Sequence, residues 1–366
     1  MKPTLKPLDQ QVVVITGASS GIGLATARRL GQRGASLVLA ARNAEALAGI
    51  AEDLRGYGVR VEHVEADVGV EADVRRIAEV AVEKFGGFDT WINDAGTSIY
   101  GKQWDTPIED ARRLFDTNYW GVVYGSLEAV THLRERGGAL ITVGSVLSDF
   151  SIPEQGTYCA SKHAVKGFTN ALREEVVGAK LPISVTLIKP SAIATPFPEH
   201  AASYMDSPGK LPPPLYAPEL VADAIMHACE HRVRELTVGS AGKAQTLMFN
   251  WAPWAAEPLF GLVGTLMQKE KTEVHGGKIN LHEAGTGGRA HGTDRFVRKS
   301  SLFLELQKRP QLMAGLAAGL TVAAVVASSA SRAVKTEMKV RRRVASIRER
   351  QARRPAWLNR HAPTWL

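Results

Sequence analysis

The first 240 residues alternate between two hydrophobic patterns, and this alternation limits the fold more than any other feature of the chain. Seven short runs rich in β-branched residues have the pattern of strands, at 12–16, 36–41, 59–66, 88–93, 139–144, 183–190 and 235–239. Helical spacing occupies the intervening stretches, among them 21–33, 43–56, 71–85 and 107–136. Strands separated by helices form parallel sheets with helices on both faces. The sequence therefore predicts a doubly wound α/β fold, in which ligands bind beyond the carboxyl ends of the strands.

A glycine-rich turn, "TGASSGIG" at 16–23, follows the first predicted strand and precedes a helix. Gly17, Gly21 and Gly23 allow a sharp turn and a close approach of the backbone to a pyrophosphate. The N-terminus of the helix supplies free N–H groups and a partial positive charge. This placement indicates a dinucleotide site, and the alternative is a glycine-rich turn without a ligand.

Tyr158 and Lys162 lie four residues apart in a predicted helix. Side chains at this spacing share one helix face. An ammonium close to a phenol favours the phenolate and lowers the phenol pKa from its usual value of about 10. The pair can therefore act as a proton donor and acceptor, whereas the simpler interpretation is a solvated helix face.

Several motifs occur in a fixed order and together resemble the short-chain dehydrogenase/reductase family. They are the glycine-rich turn, an N-x-A-G segment at 93–96, a serine after the fifth strand and the Y-x-x-x-K pair. The resemblance covers residues 10 to about 240. It implies a Rossmann-type fold, a homodimer or homotetramer, and hydride transfer between a nicotinamide and a small carbonyl or alcohol substrate.

The family resemblance gives four residues catalytic roles. Tyr158 is similar to the acid/base that protonates the carbonyl oxygen. Lys162 resembles the lysine that holds the ribose hydroxyls and lowers the tyrosine pKa. Ser145 matches the serine that orients the carbonyl, with Ser148 as a rival, and Asn118 matches the asparagine that holds a water molecule in the proton relay.

The end of the second strand indicates which nicotinamide cofactor is used. NAD-binding sites place an acid there for the ribose 2′-hydroxyl, whereas this chain has Ala41 followed by Arg42. A guanidinium can bind a 2′-phosphate through two hydrogen bonds, so the sequence predicts NADP (NADPH). Asp67 resembles the family's aspartate at the adenine ring, with Val68 beside it.

Two departures from the family pattern affect the predicted cofactor site. Asp94 replaces a neutral amide and puts local sheet hydrogen bonds in doubt, and Ser191 replaces the glycine after Pro190. Thr195 keeps its place for the nicotinamide carboxamide. The predicted cofactor-binding residues are Gly17, Ser19, Ser20, Gly21, Ile22, Gly23, Arg42, Asp67, Val68, Asn93, Ala95, Gly96, Tyr158, Lys162, Pro190, Ile193 and Thr195.

Charge and cysteine content restrict the partners and the compartment. The formal charge of +8 comes from residues 332–366, which carry a local charge of +9, so the rest of the chain is close to neutral. This distribution argues against a nucleic-acid-binding body. Two cysteines are too few for a disulfide framework, and the first ten residues lack the apolar core of a signal peptide, so we expect a cytoplasmic protein. His227 and His231 are paired without a third ligand, and we predict no metal site.

Composition divides the chain into five predicted segments. Residues 1–240 form the nucleotide-binding domain with the active site. The segment 241–271 is apolar and contains Phe249, Trp251, Trp254 and Phe260, which suit either a wall around a lipophilic substrate or a core or dimer contact. The remaining segments are a flexible linker at 272–300, an apolar helix at 301–331 and a basic tail at 332–366.

The charge-free stretch 310–331 is just long enough to span a bilayer, although it is rich in Ala, Gly and Ser. A single span would separate a cytosolic NADP domain from a basic tail that also favours the cytosol. A helix packed on protein and peripheral membrane contact are therefore the preferred alternatives. The predicted function is an NADP-dependent oxidoreductase for ketones or aldehydes and alcohols. The alternative is an NADPH-binding scaffold without turnover, recruited to a membrane or partner through its C-terminal region.

Overall fold

The computed structural model describes residues 4–269, 281–293, 296–309, 311, 312, 315 and 337–349. The chain divides into two compact units, Met1–Lys308 and Arg309–Leu366. The first unit therefore continues well beyond residue 240, where the sequence analysis ended the nucleotide-binding domain.

A seven-stranded parallel sheet lies at the centre of the first unit, and its strand order is β7-β6-β5-β4-β1-β2-β3. Its strands are β1 (Val12–Thr16), β2 (Ser36–Ala41), β3 (Val61–Glu65), β4 (Thr90–Asn93), β5 (Gly138–Val143), β6 (Ile183–Pro190) and β7 (Glu235–Val238). All neighbouring strands pair in parallel register. The order reverses beside β1, as in Rossmann folds, so the predicted fold class is confirmed.

Helices cover both faces of the sheet. They are α1 (Gly21–Gln32), α2 (Ala44–Arg55), α3 (Glu71–Phe85), α4 (Ile108–Phe115), α5 (Gly121–Arg136), α6 (Gly156–Gly178) and α7 (Pro218–Glu230). One core cluster joins the sheet to α1, α2 and α7, and a second joins it to α3, α5 and α6. Because both faces are covered, the central strands have continuous apolar runs, such as Val13 to Ile15 with no solvent exposure.

The helix predicted at 107–136 is interrupted in the structure. A π-helical turn, Asp116–Trp120, separates α4 from α5. Asn118 lies in this turn. Its side-chain oxygen accepts a hydrogen bond from Thr97 N–H, and its side-chain nitrogen donates one to the Thr97 carbonyl, each at 2.9 Å. Such turns often occur at functional sites, and periodicity alone could not reveal this one because apolar spacing continues through it.

The apolar segment after β7 forms two helices, α8 (Ser240–Trp251) and α9 (Pro253–Gln268). Its four aromatic side chains fall into two groups. Phe249 and Phe260 pack with their rings tilted and their centroids 5.0 Å apart, whereas Trp251 and Trp254 are 84% and 78% exposed. Only the first group is placed to contribute to an apolar wall.

The described part of the predicted linker, 281–293 and 296–300, packs against the sheet domain. Leu281 is fully buried and Ala290 is 4% exposed. Val297–Arg298 pairs with Leu215–Tyr216 as a two-stranded sheet. The composition of these residues predicted a flexible linker, because they carry few apolar side chains. In the structure they are held mainly through backbone hydrogen bonds, which composition does not reveal.

A short helix, α10 (Leu302–Gln307), covers the edge of β7. The side chain of Gln307 accepts a hydrogen bond from Thr237 N–H at 3.0 Å and donates one to the Thr237 carbonyl at 2.9 Å. An edge strand has unpaired backbone groups, so Gln307 satisfies two of them. Helix α10 is therefore the last secondary-structure element of the first unit.

The second unit is described only in part. Residues 337–349 of the predicted basic tail form a helix with exposed side chains, including an Arg341–Glu337 ion pair at 2.7 Å. Almost all of the stretch 310–331 lies outside the described residues, so its predicted helix stays a prediction. Within the described ranges, no helix is both long and apolar enough to cross a membrane.

Candidate active site

The carboxyl ends of β1, β2, β4, β5 and β6 open into one elongated cavity. Sixteen of the residues predicted from the sequence line it: Gly17, Ser19, Ser20, Gly21, Ile22, Arg42, Asp67, Val68, Ala95, Gly96, Ser145, Tyr158, Lys162, Pro190, Ile193 and Thr195. The glycine-rich turn and the Tyr158–Lys162 pair therefore share a single cavity. This is the arrangement that a dinucleotide with a reactive nicotinamide end requires.

Tyr158 and Lys162 lie on the same face of α6 and are nearly buried, at 8% and 4% exposure. The Lys162 Nζ atom donates to the Val143 carbonyl at 3.0 Å and lies 5.8 Å from the centre of the Tyr158 ring. Ser145, which begins the turn after β5, lies beside the Tyr158 hydroxyl, and its own hydroxyl accepts from Leu147 N–H at 3.0 Å. The three groups thus converge at one point, where β5 ends.

Burial shifts the protonation of both residues of the pair. It raises the pKa of Tyr158 above its ordinary value, while the neighbouring Ser145 hydroxyl opposes the rise. Burial also lowers the pKa of Lys162 to about 8, and the carboxylate of Asp94 opposes this shift. The phenol is therefore protonated at neutral pH, beside a lysine whose charge can change close to neutrality.

Asn118 is fully buried behind the cavity wall and does not line it. Besides its two bonds to Thr97, its amide donates to the Ser161 hydroxyl at 3.1 Å. Ser161 in turn donates to the Tyr158 carbonyl at 2.8 Å. The Asn118 side chain therefore ties the π-helical turn to α6, and its contacts are with protein groups that position Tyr158.

The glycine-rich turn is packed too closely for side chains. A Cβ atom on Gly17 would lie 2.7 Å from the Ala95 Cα, and Gly17 has a left-handed φ of +75°. A Cβ atom on Gly23 would lie 2.3 Å from the Gly17 carbonyl oxygen. Gly23 thus supports the turn from behind, while the backbone of Gly17 to Ile22 faces the cavity. The turn fits a pyrophosphate at the N-terminus of α1.

Asn93 and Asp94 have different surroundings, although both belong to the N-x-A-G segment. Asn93 is 2% exposed, lies outside the cavity lining and bonds Trp91 Nε1 at 2.8 Å and Ser126 at 3.1 Å. Its predicted contact with the cofactor is therefore replaced by contacts inside the sheet domain. Asp94 lines the cavity, and burial raises its pKa to about 7 against the charge of Lys162 and a bond from Gly23 N–H.

Two arginines meet at the far end of the cavity. Arg42 Nη1 and Arg113 Nε both donate to the Leu281 carbonyl, at 3.1 and 3.2 Å. Arg113 also pairs with the carboxylate of Asp67, whose Oδ1 accepts from Gly69 N–H at 2.9 Å. Burial lowers the pKa of Arg42, and the nearby charges of Asp67 and Arg113 act on it in opposite directions.

The loop after β6 keeps its place although serine replaces glycine. Ser191 N–H donates to the Val238 carbonyl at 2.8 Å, which continues the pairing of β6 with β7. Thr195 lies beside the glycine-rich turn, because a Cβ atom on Gly21 would approach its side chain to 3.4 Å. The replacement of glycine by Ser191 therefore does not disrupt this part of the cavity wall.

Sequence analysis missed several groups of the site. Arg113 belongs to α4, and its only sequence signal is a position on the same helical stretch as Asn118. The substrate end of the cavity also has a wall formed by Phe150, the loop 211–214 and Phe260, and of these Phe260 is among the aromatic residues that the sequence predicted for such a wall. Ala284 to Thr286 line the opposite end. No local motif marks these residues, because long-range packing brings them to the cavity.

A comparison with known families agrees with this geometry. The model of the short-chain dehydrogenases matches residues 11–204, more than half of the chain. The chain belongs to the short-chain dehydrogenase family of oxidoreductases. It is 44% identical to the uncharacterized oxidoreductase YxnA of Bacillus subtilis over 324 residues, 87% of this chain and 91% of that protein. It is also 35% identical to an uncharacterized oxidoreductase of Staphylococcus aureus strain MW2, over 63% of this chain and 97% of that one.

Solved structures of the family have the same fold. A short-chain dehydrogenase/reductase from Burkholderia phymatum in complex with NAD is 26% identical, with a TM-score of 0.63 over 69% of this chain and 96% of its own. L-Sorbose reductase from Gluconobacter frateurii, complexed with NADPH and L-sorbose, is 28% identical and has a TM-score of 0.56. The match covers 65% of this chain and 97% of the reductase. An alcohol dehydrogenase from Thermococcus sibiricus complexed with 5-hydroxy-NADP is 27% identical and has a TM-score of 0.55. The match covers 62% of this chain and 95% of that dehydrogenase. These family structures bind nicotinamide nucleotides of both kinds.

Proposed function

We propose that this protein is an NADP-dependent oxidoreductase that interconverts a ketone or aldehyde with an alcohol. The observation that carries the proposal is the convergence of Tyr158, Ser145 and Lys162 at one end of a cavity whose other end contains Arg42. A scaffold that only binds nucleotide has no use for a buried phenol beside an ammonium.

The proposed mechanism assigns one task to each side chain. When bound, a reduced nicotinamide supplies the hydride that reaches the carbonyl carbon. The Ser145 hydroxyl donates a hydrogen bond to the carbonyl oxygen and orients it. Tyr158 gives its proton to the same oxygen, and the Lys162 ammonium stabilises the phenolate that remains. Burial favours the protonated phenol, which is the form a carbonyl reductase requires before each turnover.

Arg42 and Arg113 support the preference for NADP. The Arg42 and Arg113 guanidinium groups bring positive charge to the end of the cavity where the adenosine ribose would bind, beside the carboxylate of Asp67. A 2′-phosphate would be attracted to this charge, and Arg42 follows Ala41 rather than an acid at the end of β2. Of the related structures, two contain an NADP-type nucleotide and one contains NAD.

The apolar end of the cavity favours a lipophilic substrate. Phe150 stacks on Phe249 with centroids 4.8 Å apart, and Phe150, Phe260 and Met267 line the wall near Tyr158. Apolar walls contribute binding energy in proportion to the area that they remove from water. The proposed substrates are therefore carbonyl compounds with an apolar body.

The test is NADPH and NADH oxidation against a panel of apolar aldehydes and ketones, with wild type beside Tyr158→Phe. We expect wild-type turnover with NADPH and a loss of about a thousandfold in kcat/KM in the variant. Tyr57→Phe is a matched control, because Tyr57 is 48% exposed and outside the cavity lining. Equal turnover in Tyr158→Phe and wild type would overturn the assignment of Tyr158, and nucleotide binding without turnover would favour the scaffold.

A further inference from the structure

Residues 281–292, here called the strap, lie across the nucleotide end of the cavity. The chain enters at Leu281, which is fully buried, and reaches Ala290, which is 4% exposed. Ala284, Gly285 and Thr286 between them line the same cavity as Ser19 and Arg42. A nucleotide in contact with the glycine-rich turn and Arg42 would therefore lie against the strap.

The strap exchanges backbone hydrogen bonds with the glycine-rich turn. Gly288 N–H donates to the Ser19 carbonyl at 2.8 Å, and Gly21 N–H donates to the Arg289 carbonyl at 2.9 Å. A Cβ atom on Gly287 would lie 2.4 Å from the Ala46 Cβ at the start of α2. The strap thus approaches the turn as closely as a neighbouring strand would, at a position where a side chain cannot fit.

The entry point of the strap organises the predicted 2′-phosphate site. The carbonyl of Leu281 accepts from both Arg42 and Arg113, and the Gly285 carbonyl accepts from the side chain of Asn43 at 2.9 Å. The Leu281 side chain belongs to the same apolar cluster as Tyr158. Both guanidinium groups are therefore held in place by a distant segment, which lies 239 residues from Arg42 and 168 residues from Arg113 in the sequence.

The far end of the strap is joined to the wall of the substrate side. Gly292 N–H donates to the Ala194 carbonyl at 3.0 Å, beside Thr195. Arg289 pairs with Glu199, and His291 approaches Glu219 to 2.7 Å. The strap consequently spans from the nucleotide turn to the loop that follows β6.

We propose that the strap retains the nucleotide: cofactor enters and leaves when the strap lifts, and in the closed state its backbone completes the adenosine end of the site. The contacts above are mostly single hydrogen bonds and exposed ion pairs between two buried anchors. Such a segment can open locally at a small free-energy cost while the sheet domain stays folded. This inference rests on the proposed function, because it requires the cavity to bind a nicotinamide nucleotide.

The test uses Gly287→Ala in the full-length protein. The added methyl group meets Ala46 and should displace the strap, so we expect bound NADPH to dissociate about tenfold faster in a stopped-flow chase with excess NADP. Gly49→Ala is the matched control, because a Cβ atom on Gly49, also in α2, would meet nothing within 4 Å. An unchanged dissociation rate in a folded Gly287→Ala protein would overturn the proposal.

A second measurement needs no variant. Hydrogen exchange of wild type with and without NADPH should show peptides covering 281–292 at least about fivefold slower with the nucleotide bound. Equal exchange in both states would also overturn the proposal.

Failure of the strap proposal is distinguishable from failure of the proposed function. If wild type binds neither NADPH nor NADH, the proposed function fails and the strap proposal fails with it. If wild type binds and turns over nucleotide while the Gly287→Ala dissociation rate and the strap exchange stay unchanged, only the strap proposal fails.

Discussion

Burial strongly changes the ionisation of Asp94 relative to a carboxyl group in water. Asp94 lies at the cavity wall within reach of the Lys162 charge, and burial raises its pKa from 3.8 to about 7. A raised carboxyl pKa means that the folded protein holds the proton more tightly than the unfolded chain. The stability that the protonated form contributes is therefore complete below pH 3.8 and is lost as the pH rises to about 7.

Asp94→Asn should remove this pH dependence. The neutral amide needs no proton, so we expect the stability of the variant relative to wild type to increase as pH rises from 4 to 7, by up to about 4 kcal/mol at pH 8. Urea unfolding at pH 4.5, 6 and 8 measures the change. Asp53→Asn, at an exposed carboxyl in α2, is the control. A difference between Asp94→Asn and wild type that does not vary with pH would contradict the shifted pKa.

Arg42 is the residue on which cofactor preference depends. We expect Arg42→Ala to weaken NADPH binding by about 2 kcal/mol, near thirtyfold, and to leave NADH binding within about twofold, because only NADPH carries the 2′-phosphate. Titration of nucleotide fluorescence gives both dissociation constants. An equal loss for the two nucleotides would mean that Arg42 supports the cavity rather than the phosphate.

At the scale of elements, α9 has two faces with separate tasks. Phe260 contributes to the cavity wall, while Trp254 on the same helix is 78% exposed. Composition predicted an apolar segment here but not which aromatic side chains would face the cavity. Phe260 packs against Phe249, which in turn stacks on Phe150, about 100 residues earlier in the chain.

The matched pair Phe260→Ala and Trp254→Ala separates these faces. Loss of the Phe260 ring removes apolar contact area, so we expect KM for an apolar carbonyl to rise about tenfold with kcat little changed. Trp254→Ala should leave both constants unchanged. Equal effects of the two substitutions would place the substrate outside the cavity end that Phe260 lines.

At the scale of the whole molecule, the first unit requires residues beyond the predicted domain boundary. Leu304 is fully buried and the side chain of Gln307 bonds the edge of β7. A chain ending at Lys308 should keep the wild-type Tm and kcat/KM for the carbonyl substrate.

Ending the chain at Ser300 removes α10, and we expect the Tm to fall by about 5 °C, because burial of one leucine contributes roughly 2 kcal/mol. Differential scanning calorimetry of the two truncations measures the difference. A Tm for the shorter chain equal to that of the longer one would show that α10 does not stabilise the sheet domain.

The sequence by itself determined the sheet and the motif residues. The existence and order of the seven strands follow from hydrophobic periodicity, and Gly17, Tyr158 and Lys162 follow from motifs whose chemistry requires fixed residue types at short spacing. Neighbours along the chain supply both signals, so no tertiary information is needed to find them.

Only the tertiary structure decided which other groups meet at the cavity. It placed Arg113 and the strap beside Arg42, turned Asn93 and Asn118 away from the cavity, and interrupted one long helix at Asp116–Trp120. These contacts join segments far apart in sequence, largely through backbone groups that every residue carries. Side-chain identity therefore gives no local sign of them, and the fold has to bring the segments together before they can be recognised.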